Sequence, residues 1–124
     1  MQNAELANAL FAAFENGDAD AVRSLCAADL QARQNLGKPM GLDGLVRFSA
    51  AVSGVVPDFR YEDRVVTATD GGFVEEHMVC GTLPDGSQLR LPACVVCEVR
   101  DGRIVSLREY LDTAAARGLL KALS

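Results

Sequence analysis

The sequence predicts one α+β domain in which helices come first and a curved, mainly antiparallel sheet follows. Three observations lead there. Four strand-like runs fill the second half: Asp58 to Thr69, Phe73 to Leu83, Ser87 to Arg100 and Arg103 to Leu111. They are joined by Asp70-Gly71-Gly72, Pro84-Asp85-Gly86 and Asp101-Gly102. Each turn holds a glycine able to take positive φ, and Asp-Gly between apolar runs is a strong hairpin signal. The first half instead repeats its apolar residues at helical spacing. A sheet made this way must wrap around the helices to bury both apolar faces, which gives a cone with a pocket and the N-terminal helices in its concave face.

The elements follow in order. Leu6, Ala7, Leu10, Phe11 and Phe14 form one apolar stripe on a helix from about Asn3 to Glu15, which Asn16-Gly17 stops. Asp18 is placed to cap a short second helix with Val22, Leu25 and Cys26 as its buried stripe. Leu30 to Asn35 reads as a short edge strand. Gly37, Pro39 and Gly41 mark a loop with poor helix and strand propensity, a candidate mobile rim. A third helix covers Leu42 to Val52. After the meander, the alanine- and leucine-rich stretch Thr113 to Leu123 forms a terminal helix capped by Asp112 or Thr113.

With 124 residues and 49% hydrophobic content, the chain suits a single domain spanning 1–124 with a real core. Its formal charge of −5 is spread along the sequence, and no run of Lys or Arg offers the positive field a phosphate backbone requires, so nucleic acid is not an expected partner. Met1-Gln2-Asn3-Ala4-Glu5 lacks a basic region followed by an apolar stretch, and no apolar run is long enough to span a bilayer. The expectation is a soluble, cytoplasmic protein with no membrane partner. Cys94-Val95-Val96-Cys97 has the formal spacing of a zinc or redox pair, but in a strand residues three apart point to opposite faces. Cys26, Cys80, Cys94 and Cys97 are therefore read as reduced thiols, with no metal and no cofactor expected.

Three stretches carry a resemblance: Glu15-Asn16-Gly17-Asp18 after the first helix, Gly81-Thr82 ending a strand, and Val99-Arg100-Asp101-Gly102-Arg103-Ile104 leading into Arg108-Glu109-Tyr110-Leu111-Asp112. In order and spacing the chain resembles, over almost its whole length, the nuclear transport factor 2-like superfamily. Within it the chain is most similar to the SnoaL-like group, which includes polyketide cyclases and is related to ketosteroid isomerase and limonene epoxide hydrolase. Such folds host isomerases, cyclases, hydrolases and proteins with no chemistry at all.

Alternation along the strands then places the pocket. In the last strand, composition alone puts Val105, Leu107, Glu109 and Leu111 inside. The resemblance implies the opposite register, with Ile104 facing the cone and Ser106, Arg108, Tyr110 and Asp112 on the same face, so that Arg108 and Tyr110 line the cavity. Val105, Leu107 and Leu111 would then form an exposed apolar patch, which a second subunit covers in a homodimer. The same register turns Glu75, His77 and Val79 inward and groups Phe59, Tyr61, Asp63 and Val65 on one face of the first meander strand.

His77 is the only histidine, and a histidine titrates near neutrality, so it is a candidate acid-base group with Asp112 or Glu75 orienting its ring; a hydrogen-bonded structural role is the alternative. Asp112 resembles in position the acid-base aspartate of SnoaL-like cyclases, and is equally placed to cap a helix. Arg108 and Tyr110 are candidate donors to an enolate oxygen, unless Arg108 only neutralises Glu75. Tyr61 and Asp63 add a donor and a carboxylate, and Asp63 would suit the proton-shuttling base of isomerase-like chemistry. The tyrosine and acid donors of ketosteroid isomerase do not match residue by residue, and the closely spaced arginine and aspartates of limonene epoxide hydrolase are not evident. Leu10, Phe11, Phe14, Phe48, Val79, Leu91, Val95 and Val99, with Cys97 beside them, are expected to form the apolar wall. The preferred function is cofactor-independent acid-base isomerisation or cyclisation of a small hydrophobic carbonyl or polycyclic compound, with His77 and Asp112 as catalytic residues. The alternative is a non-catalytic homodimer that binds a hydrophobic small molecule or serves as an association module.

Overall fold

In the computed structural model, which describes Met1–Ser124, the elements run α1 (Asn3–Glu15), α2 (Ala19–Leu25), β1 (Cys26–Gln34), α3 (Leu42–Val55), β2 (Arg60–Thr69), β3 (Gly72–Thr82), β4 (Gln88–Arg100), β5 (Arg103–Leu111) and α4 (Arg117–Leu123). The stripe Leu6, Ala7, Leu10, Phe11 and Phe14 is buried along α1. A capping box starts this helix, with the Glu5 carboxylate accepting from the Gln2 N–H at 3.0 Å. Gly17 at φ +62° ends it, and Asp18 caps α2 by accepting from the Ala21 N–H at 3.1 Å.

Several boundaries differ from the sequence reading, among them the end of α3, which runs to Val55 rather than Val52. Cys26 opens β1 rather than closing α2, though it is buried as expected. β1 starts earlier than Leu30 because it is held by parallel pairing to β5, a long-range partner that local propensity does not reveal. The terminal helix begins only at Arg117; ahead of it the Asp112 carboxylate accepts from the Ala114 N–H at 2.9 Å and from the Ala115 N–H at 3.4 Å, which caps the preceding turn.

The sheet has the order β1-β5-β4-β3-β2, an antiparallel meander with the parallel β1 added at one edge. Gly72 allows β3 to lie close against β4, because a Cβ there would lie 1.9 Å from the Cys97 carbonyl oxygen. Within the meander two β-bulges interrupt strict alternation, and a further register shift lies in β1 between Cys26 and Gln31. In β2, Glu62 faces Met78 and Val65 faces Glu76, so Asp63 and Arg64 together oppose the single residue His77; Asp63 adopts φ +54°. In β5, Ser106 faces Glu98 but Ile104 faces Val99, which leaves Val105 as the extra residue.

Each bulge reverses the inside-outside pattern that follows it. The register expected for β5 is therefore corrected. Ile104 is buried as the resemblance implied, but beyond Val105 it is Leu107, Glu109 and Leu111 that face the helices, while Ser106, Arg108 and Tyr110 lie on the outer face. In β2, Tyr61 faces inward, Asp63 and Val65 are exposed, and Val66 packs on the core in their place.

The interior falls into two hydrophobic groups. One surrounds α1 and contains Leu6, Leu10, Phe11, Phe73, Cys97 and Ile104. The other, which includes Val56, Val79, Leu83, Leu91 and Leu119, gathers at the opposite end of the sheet. Cys97 points into the core and Cys94 to the other face, as strand geometry requires. Burial pushes the Cys26 thiol up to about 11 and the Cys97 thiol higher still. No helix is long and apolar enough to cross a membrane.

Candidate active site

Between the two hydrophobic groups lies a cavity of about 340 Å³, within the range typical of small-molecule sites. Phe11 and Phe14 of α1, Phe48 and Val52 of α3, and Val79, Leu91 and Val95 of the sheet supply most of its wall. Exposed Asn35, Thr113 and Leu120 stand at its rim, so the loop after β1 and the α4 region frame the mouth. Leu10, Val99 and Cys97, expected in this wall, instead pack in the core around α1. The polar groups that reach the cavity are few, and Glu109 is the one carboxyl among them.

Glu109 comes to this place through the β5 bulge. Gln34 Nε2 donates to its Oε1 at 2.6 Å, linking the ends of β1 and β5. Asn35 strengthens the same corner: its side chain donates to the Leu111 carbonyl at 3.1 Å and accepts from the Leu111 N–H at 2.9 Å. Burial is the main influence on the Glu109 carboxyl and holds it above its usual range, while the Gln34 hydrogen bond and, when its ring is protonated, His77 oppose that shift. A carboxyl that retains its proton in an apolar cavity is a hydrogen-bond donor and a general acid. Tyr61 also lines the cavity, and burial first, then the Glu109 charge, raises its phenol well above the ordinary value. It therefore remains a donor.

Behind Tyr61 lies a polar chain whose inner members, Glu75 and His77, are buried. The Glu75 carboxylate, with no exposed side-chain surface, takes a two-pronged contact from Arg64, Nη2 to Oε1 at 2.7 Å and Nε to Oε2 at 3.0 Å. Its Oε2 is also 2.6 Å from His77 Nδ1. Burial raises the Glu75 carboxyl, but the hydrogen bonds from His77 and Arg64 outweigh it and hold the group below its usual range. The imidazole is enclosed by rings, with the Tyr61 centroid 4.3 Å away at 32° and the Phe11 centroid 5.1 Å away at 75°. Its Nε2 is buried and has no hydrogen-bond partner. Such an orphaned atom is rare in a well-packed fold and calls for a functional explanation.

The expected site residues thus separate. Tyr61, Phe14, Val79 and Val95 line the cavity; His77 and Glu75 are buried just behind it. Asp63 is turned out by the β2 bulge, and Arg64 takes its place near His77. Arg108 does not meet Glu75: it pairs with Glu98 at 2.9 Å and with Ser106 at 3.0 Å on the outer face. Tyr110 is 36% exposed on that same face. Asp112 is exposed and occupied as a turn cap. Sequence reasoning missed Glu109, Gln34 and Arg64. The signal for Glu109 was present in its alternation with Leu107 and Leu111.

The sequence model of the SnoaL-like domain matches residues 7–107. No match is found among curated proteins. Solved structures similar to this chain include a candidate polyketide cyclase from Xanthomonas campestris pv. campestris, 26% identical over 97% of this chain and 95% of the other, with a TM-score of 0.79. A candidate polyketide cyclase from Pseudomonas putida KT2440 is 24% identical over 100% of this chain and 99% of the other, with a TM-score of 0.81. An LEH-like epoxide hydrolase from M. tuberculosis is 24% identical over 98% of this chain and 91% of the other, with a TM-score of 0.78.

Proposed function

The chain belongs to the SnoaL-like domain family, within the nuclear transport factor 2-like superfamily, and from that premise we propose that it binds a small hydrophobic carbonyl or polycyclic compound and moves a proton on it, without a cofactor, in an isomerisation or cyclisation. The observation that carries this reading is the buried Glu109 carboxyl, raised above its usual range, on the wall of an otherwise mainly apolar cavity. The apolar wall takes up the body of the ligand, and Tyr61 donates to its carbonyl oxygen. Glu109 delivers a proton to the developing enolate. His77 is the acceptor of the pair, because its Nε2 has no partner in the fold and its ring packs against Tyr61, which lines the cavity. Asp112 has no part in this scheme, since its carboxylate serves the turn before α4.

The test is deuterium exchange at the carbon next to the carbonyl, followed by NMR over a panel of enolisable cyclic ketones. The wild-type protein exchanges at least one of them, and Glu109→Gln slows that exchange by about 10²- to 10⁴-fold with an unchanged circular dichroism spectrum. Saturable binding with no exchange by the wild type would move the assignment to the non-catalytic ligand-binding module.

The outer face of the sheet is assigned to a homodimer. The patch that first motivated this has changed, because Leu107 and Leu111 face inward. Val74, Met78, Val96 and Val105 now support it, as half-buried apolar residues of three adjacent strands on the face away from the helices.

A further inference from the structure

We propose that Arg64 is a positioning residue that keeps His77 a neutral imidazole, with its proton on Nδ1 and its Nε2 bare. This deepens the proton-transfer reading above, which needs an acceptor at Nε2.

Glu75 is an acceptor on both oxygens, and Arg64 already neutralises it through two contacts at 2.7 and 3.0 Å. The hydrogen bond at 2.6 Å between Glu75 Oε2 and His77 Nδ1 then requires the proton to sit on Nδ1. A further proton on Nε2 would leave a net positive charge among the Phe11 and Tyr61 rings, on an atom that has no acceptor. Every neighbouring element fits this arrangement. From β3 comes Glu75, and from β2 come Arg64 and the protonated Tyr61. From β5 comes Glu109, close enough for its charge to act on His77 but held toward its protonated form by burial. From β4 comes only Ala93 opposite His77. From α1, Asn8 Oδ1 accepts from Arg64 Nη2 at 3.0 Å and steadies the guanidinium, while the Glu15 charge acts on Tyr61 and Arg64.

The backbone is shaped to deliver this cation. Without the bulge at Asp63 and Arg64, alternation from Tyr61 would turn Asp63 inward and Arg64 outward, and an acid would face Glu75 and His77. The extra residue, at the cost of a left-handed conformation at Asp63, replaces that acid with a guanidinium.

The chain has a single histidine, so ¹⁵N NMR of ligand-free protein reads His77 without assignment ambiguity. The wild type at neutral pH shows a proton-bearing Nδ1 and a bare Nε2. In Arg64→Met the Glu75 charge is no longer matched, and the imidazole holds its second proton at least tenfold more tightly, as expected when an opposing cation within about 4–6 Å is lost. Arg64→Lys retains the charge and restores the wild-type spectrum. A wild-type imidazolium at neutral pH, a proton on Nε2, or an Arg64→Met protein that titrates like the wild type would each overturn the proposal. If Arg64→Met does not fold, the wild-type and Arg64→Lys spectra still decide, since an imidazolium in either contradicts it. No substrate enters this measurement, so failure of the exchange assay leaves it standing, and its own failure leaves the exchange assay unaffected.

Discussion

Glu109 makes the stability of the fold depend on pH in a direction opposite to that of Glu75. Its carboxyl lies above the ordinary value of 4.5 in the folded state, so in the interval above 4.5 the native protein holds a proton that the unfolded chain has released. The unfolded state binds fewer protons there, and the contribution of Glu109 to stability falls as pH rises through that interval. Glu75 is lowered from the same ordinary value; its contribution is present above 4.5 and is lost as pH falls below it. Glutamine at position 109 can still accept from Gln34 but cannot ionise. The melting temperature of Glu109→Gln should therefore rise relative to the wild type as pH is taken from 4 to 7. A constant difference across that range would show that Glu109 does not titrate abnormally. The same residue shows what was readable in advance: the run Leu107-Arg108-Glu109-Tyr110-Leu111 has an apolar face containing Glu109, and following that face instead of the family register identifies the cavity carboxyl.

At the scale of the element, the two bulges determine the site. Asp63 is exposed yet sits at φ +54°, a conformation that aspartate tolerates and β-branched side chains do not. Asp63→Val should destabilise the protein by about 1–2 kcal/mol in urea unfolding, although it is surface-exposed in a strand and valine favours strands. Asp63→Gly should lie close to the wild type, because relief of strain offsets the added freedom of the unfolded chain. Equal stability of the valine variant and the wild type would mean that the left-handed residue is not required. The strand boundaries of the meander and the Asp-Gly turns were legible because they depend on local signals. The bulges were not, since an extra residue in one strand is defined only against its partner. For this reason Asp63, Arg108 and Tyr110 were expected in the cavity and Arg64 and Glu109 were not.

For the whole molecule, the helices and the cavity occupy one face of the sheet, and the other face is left uncovered within a single chain. Val74 and Val96 are register partners on that other face, near the end of the β3–β4 pair that lies away from its connecting turn. If they lie in a homodimer interface, the wild type sediments as a dimer and Val74→Glu as a monomer, because a carboxylate buried between Thr67 and Val96 would lack a partner. A monomeric wild type would remove the dimer from the proposed function. The sequence by itself determined the α+β cone, its helices, its antiparallel meander and its family, because periodicity, caps and glycine turns are short-range properties repeated along the chain. Only the tertiary structure decided which side chains meet. The parallel pairing of β1 with β5, the register shifts of the sheet and the Arg64–Glu75–His77 chain arise between segments that pair only in the folded sheet, where a one-residue offset exchanges the inside of a strand for its outside.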